Sequence, residues 1–155
     1  MNDQGLFFDA LLTEKIKIRN SKDKPMFEGD FFDSFLAKNE TVSDVLELFK
    51  QYNLEFMSGY QLFFADATGD FAIIEGDRII RKKGSFQVVT NFLQSRVKKK
   101  SYHCEWYKGG CIRYQIAERM LKDRGEESIE YFRWILEATH QNTLGARTLY
   151  SNICD

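Results

Sequence analysis

The sequence predicts an α+β layered domain. Three observations carry this: short apolar runs in the middle of the chain separated by Gly- and Asp-bearing turns, helical apolar spacing on both sides of them, and ample material for a core. The chain has 155 residues, 43% hydrophobic and 15% aromatic, with 14 Phe. Such a composition belongs to globular chains rather than disordered ones. One domain of this length buries roughly 70% of its unfolded surface.

The elements follow in order. Leu6-Phe7-Phe8 predicts an opening strand, and the polar stretch from Lys15 to Glu28 holds the single proline, Pro25. A helix is predicted from Asp30 to Lys38, with Phe31, Phe32, Phe35 and Leu36 on one side. A second begins at Thr41 as N-cap, with Val42, Val45, Leu46 and Phe49 at helical spacing and Asp44 in its first turn. The stretch from Gln61 to Asn91 predicts a meander of four strands. Its apolar runs are Leu62–Ala65, Phe71–Ile74, Ile79-Ile80 and Phe86–Val89, stopped by Asp66-Ala67-Thr68-Gly69, by Glu75-Gly76-Asp77 and by Arg81-Lys82-Lys83-Gly84. A polar stretch from Gln94 to Gly110 comes next. A third helix is predicted from Ile112 to Lys122, with Ile116, Met120 and Leu121 apolar. A fourth runs from Ser128 as N-cap to about His140, with Phe132, Ile135, Leu136 and Thr139 inward. Arg147 to Cys154 predicts a last strand. No internal repeat or low-complexity tract is present.

Charge narrows the function classes. The 22 basic and 23 acidic residues leave a net charge of −1, which argues against general nucleic-acid binding, since that needs a cationic excess. No apolar run approaches the roughly 18 residues of a membrane span. Asp3 and Asp9 flank a short apolar patch with no basic start, so no secretory signal is expected. The three cysteines, Cys104, Cys111 and Cys154, cannot all pair within one chain. Their odd count suits free thiols in a cytoplasmic location and is compatible with one disulfide.

The residue with most chemical promise is Asn91, at the predicted end of a buried strand. A side-chain amide fixed there is a hydrogen-bond donor of the kind that stabilises oxyanions; its bland role is an Asn capping local backbone at a strand-to-loop junction.

Several motifs around Asn91 resemble those of the linear amide C–N hydrolases: choloylglycine (bile salt) hydrolases, penicillin V acylases and acyltransferase-like relatives. They are the hairpin from Leu62 to Glu75, Val89-Thr90-Asn91, Cys111-Ile112-Arg113-Tyr114-Gln115-Ile116-Ala117, and the terminal Tyr150-Ser151-Asn152-Ile153-Cys154-Asp155. The opening Met1-Asn2-Asp3-Gln4-Gly5-Leu6 is similar to an internal Met-Asn-Glu-Lys-Gly-Leu of that family. The order is right over nearly the whole chain, although no single motif is specific. The resemblance implies part of an αββα N-terminal-nucleophile hydrolase sandwich, in which this chain is a single partial domain, residues 1–155. It implies a small acyl-amide substrate; no cofactor or metal is expected, and no nucleic acid or membrane as partner. It assigns Asn91 to oxyanion stabilisation and Arg113 to organising the active-site cysteine. A guanidinium near a thiol favours thiolate; the plain alternative for Arg113 is an exposed arginine at a helix start.

The family's nucleophile is a cysteine at the mature amino terminus whose own α-amino group is the base. Residue 1 here is Met, and the first cysteine is Cys104. The expectation is therefore a middle portion of an amidase, lacking the nucleophile segment and the final strands and inactive alone. An unpaired strand edge or exposed sheet face predicts self-association as a homo-oligomer. Leu12 stands where bile salt hydrolases carry an Asn, which points toward the acylase-like relatives.

Other readings are weaker. Cys104 or Cys111 with His103 or His140 would make a self-contained cysteine enzyme. His103, Cys104, Cys111 and Cys154 have zinc-ligand chemistry but no CxxC spacing. Lys98-Lys99-Lys100 is a solvated loop, and Gly109-Gly110 is too short to cradle a phosphate. A non-catalytic α+β domain binding a partner chain or small ligand, or the product of a decayed gene, is the reading from a different class.

Overall fold

In the computed structural model, the described residues are 1–19, 22–96, 108–123, 128–143, 145–149, 151 and 153. The chain falls into two compact units, Met1–Lys98 and Lys99–Asp155. The fold class is α+β, as the sequence predicts.

In the first unit, β1 (Phe7–Leu12), β2 (Tyr60–Ala65), β3 (Phe71–Glu75) and β4 (Arg78–Arg81) form one antiparallel sheet in the order β1-β2-β3-β4. Its register sets Phe8 opposite Phe64 and Phe64 opposite Ala72, with Leu62 opposite Ile74. Because side chains alternate along a strand, Leu62, Phe64, Ala72 and Ile74 share one face. That face meets the helices α1 (Phe31–Lys38) and α2 (Val42–Phe49) in a core that includes Leu6, Phe35, Val42, Val45, Leu46, Phe49 and Met57. Every residue of β3 is buried, so this strand is covered on both faces.

Local chemistry fixes these elements. Thr41 closes a capping box with Asp44: the Thr41 side chain accepts from Asp44 N, and the Asp44 carboxylate accepts from Thr41 N, satisfying two donors at the helix start. Asp66 holds the β2–β3 turn through hydrogen bonds from Thr68 N (3.0 Å), Thr68 Oγ1 (2.5 Å) and Asp70 N (3.2 Å). Its other oxygen accepts from Val42 N at 2.9 Å, tying the turn to the amino terminus of α2. Asn2 shows what the opening motif does physically. Its amide donates to Leu36 O (2.8 Å) and Asn39 O (2.9 Å), and its oxygen accepts from Leu6 N (2.8 Å). It thereby staples the entry to β1 onto the end of α1. Gly5 follows with φ of 83°, and a Cβ there would lie 2.9 Å from Ala67 Cβ, so both its backbone and its close neighbour require glycine.

Burial pushes the Asp66 carboxyl up, and the bonds from Thr68, Val42 and Asp70 outweigh it, holding it below its usual 3.8. The Thr41 bonds lower Asp44 in the same direction. A carboxyl lowered in the folded state contributes stability above its unfolded pKa and loses it as pH falls through the folded value. Urea unfolding between about pH 5 and pH 2 should therefore show a flatter loss of stability for Asp66→Asn than for the parent; equal slopes would contradict the assignment.

Two strand expectations fail. Phe86–Val89 is not a strand. Val88 O instead accepts from Gln87 Nε2 (2.8 Å) and Gln94 Nε2 (2.7 Å), so side-chain amides occupy an acceptor that a sheet ladder would use. The segment is still buried at Val88, Thr90, Phe92 and Leu93, which explains its strand-like composition. The expected strand over Arg147–Cys154 is limited to β6 (Ala146–Arg147), paired with β5 (Asn142–Thr143). Thr148, Leu149, Ser151 and Ile153 are outside any strand, and the remaining positions of that span lie outside the described residues.

In the second unit, α3 (Lys108–Asp123) begins four residues before the predicted Ile112, running through Gly109-Gly110. It buries Cys111, Tyr114, Ala117 and Leu121, one stripe of a 3.6-residue period. The helix α4 (Ile129–Ala138) is capped by Ser128 as predicted, its side chain accepting from Tyr131 N, and it buries Ile135. Tyr131 Oη donates to Met120 O, joining α4 to α3. No described helix is long and apolar enough to cross a membrane.

Candidate functional site

Asn91 lies in the first unit, at an exposed bend after the buried Thr90. Its Nδ2 donates to Leu12 O at 3.0 Å, which fixes the orientation of the amide against the end of β1. Leu12 stands where bile salt hydrolases carry an asparagine, and here it meets Asn91 through its backbone carbonyl, 79 residues away in the chain.

A buried clamp holds the segment that follows Asn91. Glu75 and Gln61, at the ends of β3 and β2, are both fully buried. Gln61 Nε2 donates to Glu75 Oε1 (2.6 Å) and to Phe92 O (2.9 Å). Glu75 also accepts from Gln94 N (2.7 Å) and Ser95 N (2.8 Å). A buried carboxyl bonded this way is a strong organiser, because each donor it satisfies would otherwise be orphaned. Gln61 Oε1 and Ser95 Oγ are buried with no hydrogen-bond partner among the described residues. The sequence reading used Glu75 only as a turn residue; the available signal was a carboxyl at the end of an uninterrupted apolar run.

Arg113 lies in the second unit, on α3. It is half-buried, and its Nε donates to Gly109 O at 3.2 Å. Burial draws the guanidinium below its usual range, although arginine keeps its charge under such shifts. It is a partly desolvated cation rather than the freely exposed arginine of the plain reading. Asn91 and Arg113 thus belong to different units.

Cys111 is buried and disulfide-bonded. Of the two readings left open by the cysteine count, the disulfide holds for Cys111, which is not available as a thiolate. His103, Cys104, Asn152 and Cys154 lie outside the described residues. His140 is exposed, its Nε2 3.1 Å from Thr148 O beside the β5–β6 hairpin. Among the described residues no group of three or more His, Cys, Asp or Glu could hold a metal.

No protein-family model matches the chain, and no curated protein matches it. Among solved structures, it is similar to a variant of conjugated bile acid hydrolase from Clostridium perfringens, with a TM-score of 0.61 and 16% identity. The match covers 96% of this chain and 61% of that one, so this chain spans less than two thirds of the neighbour's length. At this identity the likeness establishes the architecture alone: the chain shares an α+β fold with that hydrolase.

Proposed function

We propose that this chain is the central portion of a hydrolase acting on non-peptide linear amide C–N bonds, of the acylase or choloylglycine hydrolase kind. The observation that carries the reading is the Asn91 amide held on Leu12 O at the end of β1, with the following segment clamped by Gln61 and Glu75.

In this mechanism a cysteine at the amino terminus of the whole enzyme, contributed from outside this sequence, attacks the substrate carbonyl. Its α-amino group takes the thiol proton and passes it to the leaving amine. Asn91 donates to the developing oxyanion, and water then releases the acyl group. A non-catalytic α+β binding domain is the second reading. The apolar Leu12, 67% exposed beside Asn91, favours it as a contact surface.

The chain alone is expected to hydrolyse neither penicillin V, acyl-amino acids nor conjugated bile salts. Joined to an amino-terminal segment that carries the cysteine, it should acquire amide hydrolysis. In that protein Asn91→Ala should lower kcat by about 10²–10³. Full turnover by the Asn91→Ala protein would remove the oxyanion role, and turnover by the chain alone would place the nucleophile elsewhere.

A further inference from the structure

A cleft of about 440 Å³ opens in the first unit beside the β3–β4 turn, lined by Lys17, Arg19, Asp77, Arg78, Ser95 and Arg96. Four cations face one acid there, in a chain whose net charge is −1. The cleft therefore concentrates a positive potential that the protein as a whole lacks. None of Lys17, Arg19, Arg78 or Arg96 forms an ion pair among the described residues. Asp77 instead accepts from the backbone Arg19 N at 3.2 Å.

The arrangement is held from beneath. Arg78 donates from one guanidinium nitrogen to Ser95 O at 3.0 Å, and Ser95 N is held by the buried Glu75 at 2.8 Å. One face of the cleft is thus anchored to β3 through a fully buried carboxyl. Converging cations repel one another when the cleft is empty, and an anion between them relieves that repulsion. Planar guanidinium forks match phosphoryl and carboxylate oxygens in pairs. The volume exceeds that of a single orthophosphate several-fold.

We infer that this cleft is a binding site for a multivalent oxyanion, a solute bearing a di- or triphosphoryl group or several carboxylates. The site is distinct from Asn91, which does not line it, and it does not depend on the hydrolase reading.

The test is isothermal titration of the purified chain with pyrophosphate, citrate and orthophosphate at matched ionic strength. Pyrophosphate should bind at least tenfold more tightly than orthophosphate. The double variant Arg78→Gln/Arg96→Gln should weaken pyrophosphate at least tenfold. Lys17→Gln, a change at an exposed side chain, should weaken it several-fold with the thermal midpoint unchanged, so the result does not hinge on the double variant folding. Lys38→Gln, at the end of α1 and not lining the cleft, should leave binding as it is. Citrate matching pyrophosphate would assign a polycarboxylate, and citrate binding no better than orthophosphate would assign a phosphoryl ligand. Pyrophosphate binding no tighter than orthophosphate, or weakened equally by Lys38→Gln, would overturn the proposal.

Discussion

Glu75→Ala is expected to destabilise the first unit by about 3–5 kcal/mol, lowering its thermal midpoint by more than about 10 °C. The carboxyl accepts from Gln61 Nε2, Gln94 N and Ser95 N while fully buried. Alanine would leave these donors facing an apolar gap, and each orphaned donor costs about 1–3 kcal/mol. Glu75→Gln keeps one acceptor oxygen in place and should lose markedly less. Thermal unfolding followed by circular dichroism separates the two variants. A Glu75→Ala midpoint within about 2 °C of the parent would show that water can replace the carboxyl and that the clamp does not hold the segment after Asn91.

Phe64→Ala should cost a comparable amount, about 3–5 kcal/mol. Phe64 is fully buried, its ring centroid 5.1 Å from that of Phe8, 5.4 Å from Phe35 and 6.2 Å from Phe49. It bridges β1, β2 and both helices, so its loss opens a cavity that no single neighbour can fill. Phe63, next along β2, is only partly buried, against Phe7 and Phe71. Phe63→Ala should therefore be milder by at least about 1 kcal/mol in chemical denaturation. Equal losses would mean that the two faces of the sheet are packed alike.

These sites show what was legible in the sequence. The spacing of Val42, Val45, Leu46 and Phe49 named the buried face of α2, and all four are buried. Thr41, Asp44 and Ser128 disclosed their caps because a cap is a local bond between residues three apart. The first three runs of the meander became β2, β3 and β4, since Gly and Asp mark turns whatever packs above them.

What stayed hidden was non-local. Phe86–Val89 has the composition of a strand, but Gln87 and Gln94 take the Val88 carbonyl, and nothing in the local pattern reveals that competition. Gly109-Gly110 reads as a loop by intrinsic propensity, yet both residues lie inside α3, as tertiary context routinely permits. Asn91 stood out only as an amide after an apolar run, and its partner Leu12 O is 79 residues away. Arg113 was visible through its motif, whereas its partial desolvation depends on packing.

The order of pairing in the sheet has a kinetic consequence. The β2–β3 and β3–β4 connections close over short turns, whereas β1 meets β2 through pairs such as Phe7 with Ala65. Closing that long loop costs more chain entropy, and the contacts that reward it come only after closure. The three-stranded hairpin array is thus the natural nucleus, with β1 docking late and its amides being the first of the sheet to exchange with solvent. Since Asn91 is anchored on the carbonyl of Leu12, the last residue of β1, the candidate site is completed only once β1 has docked.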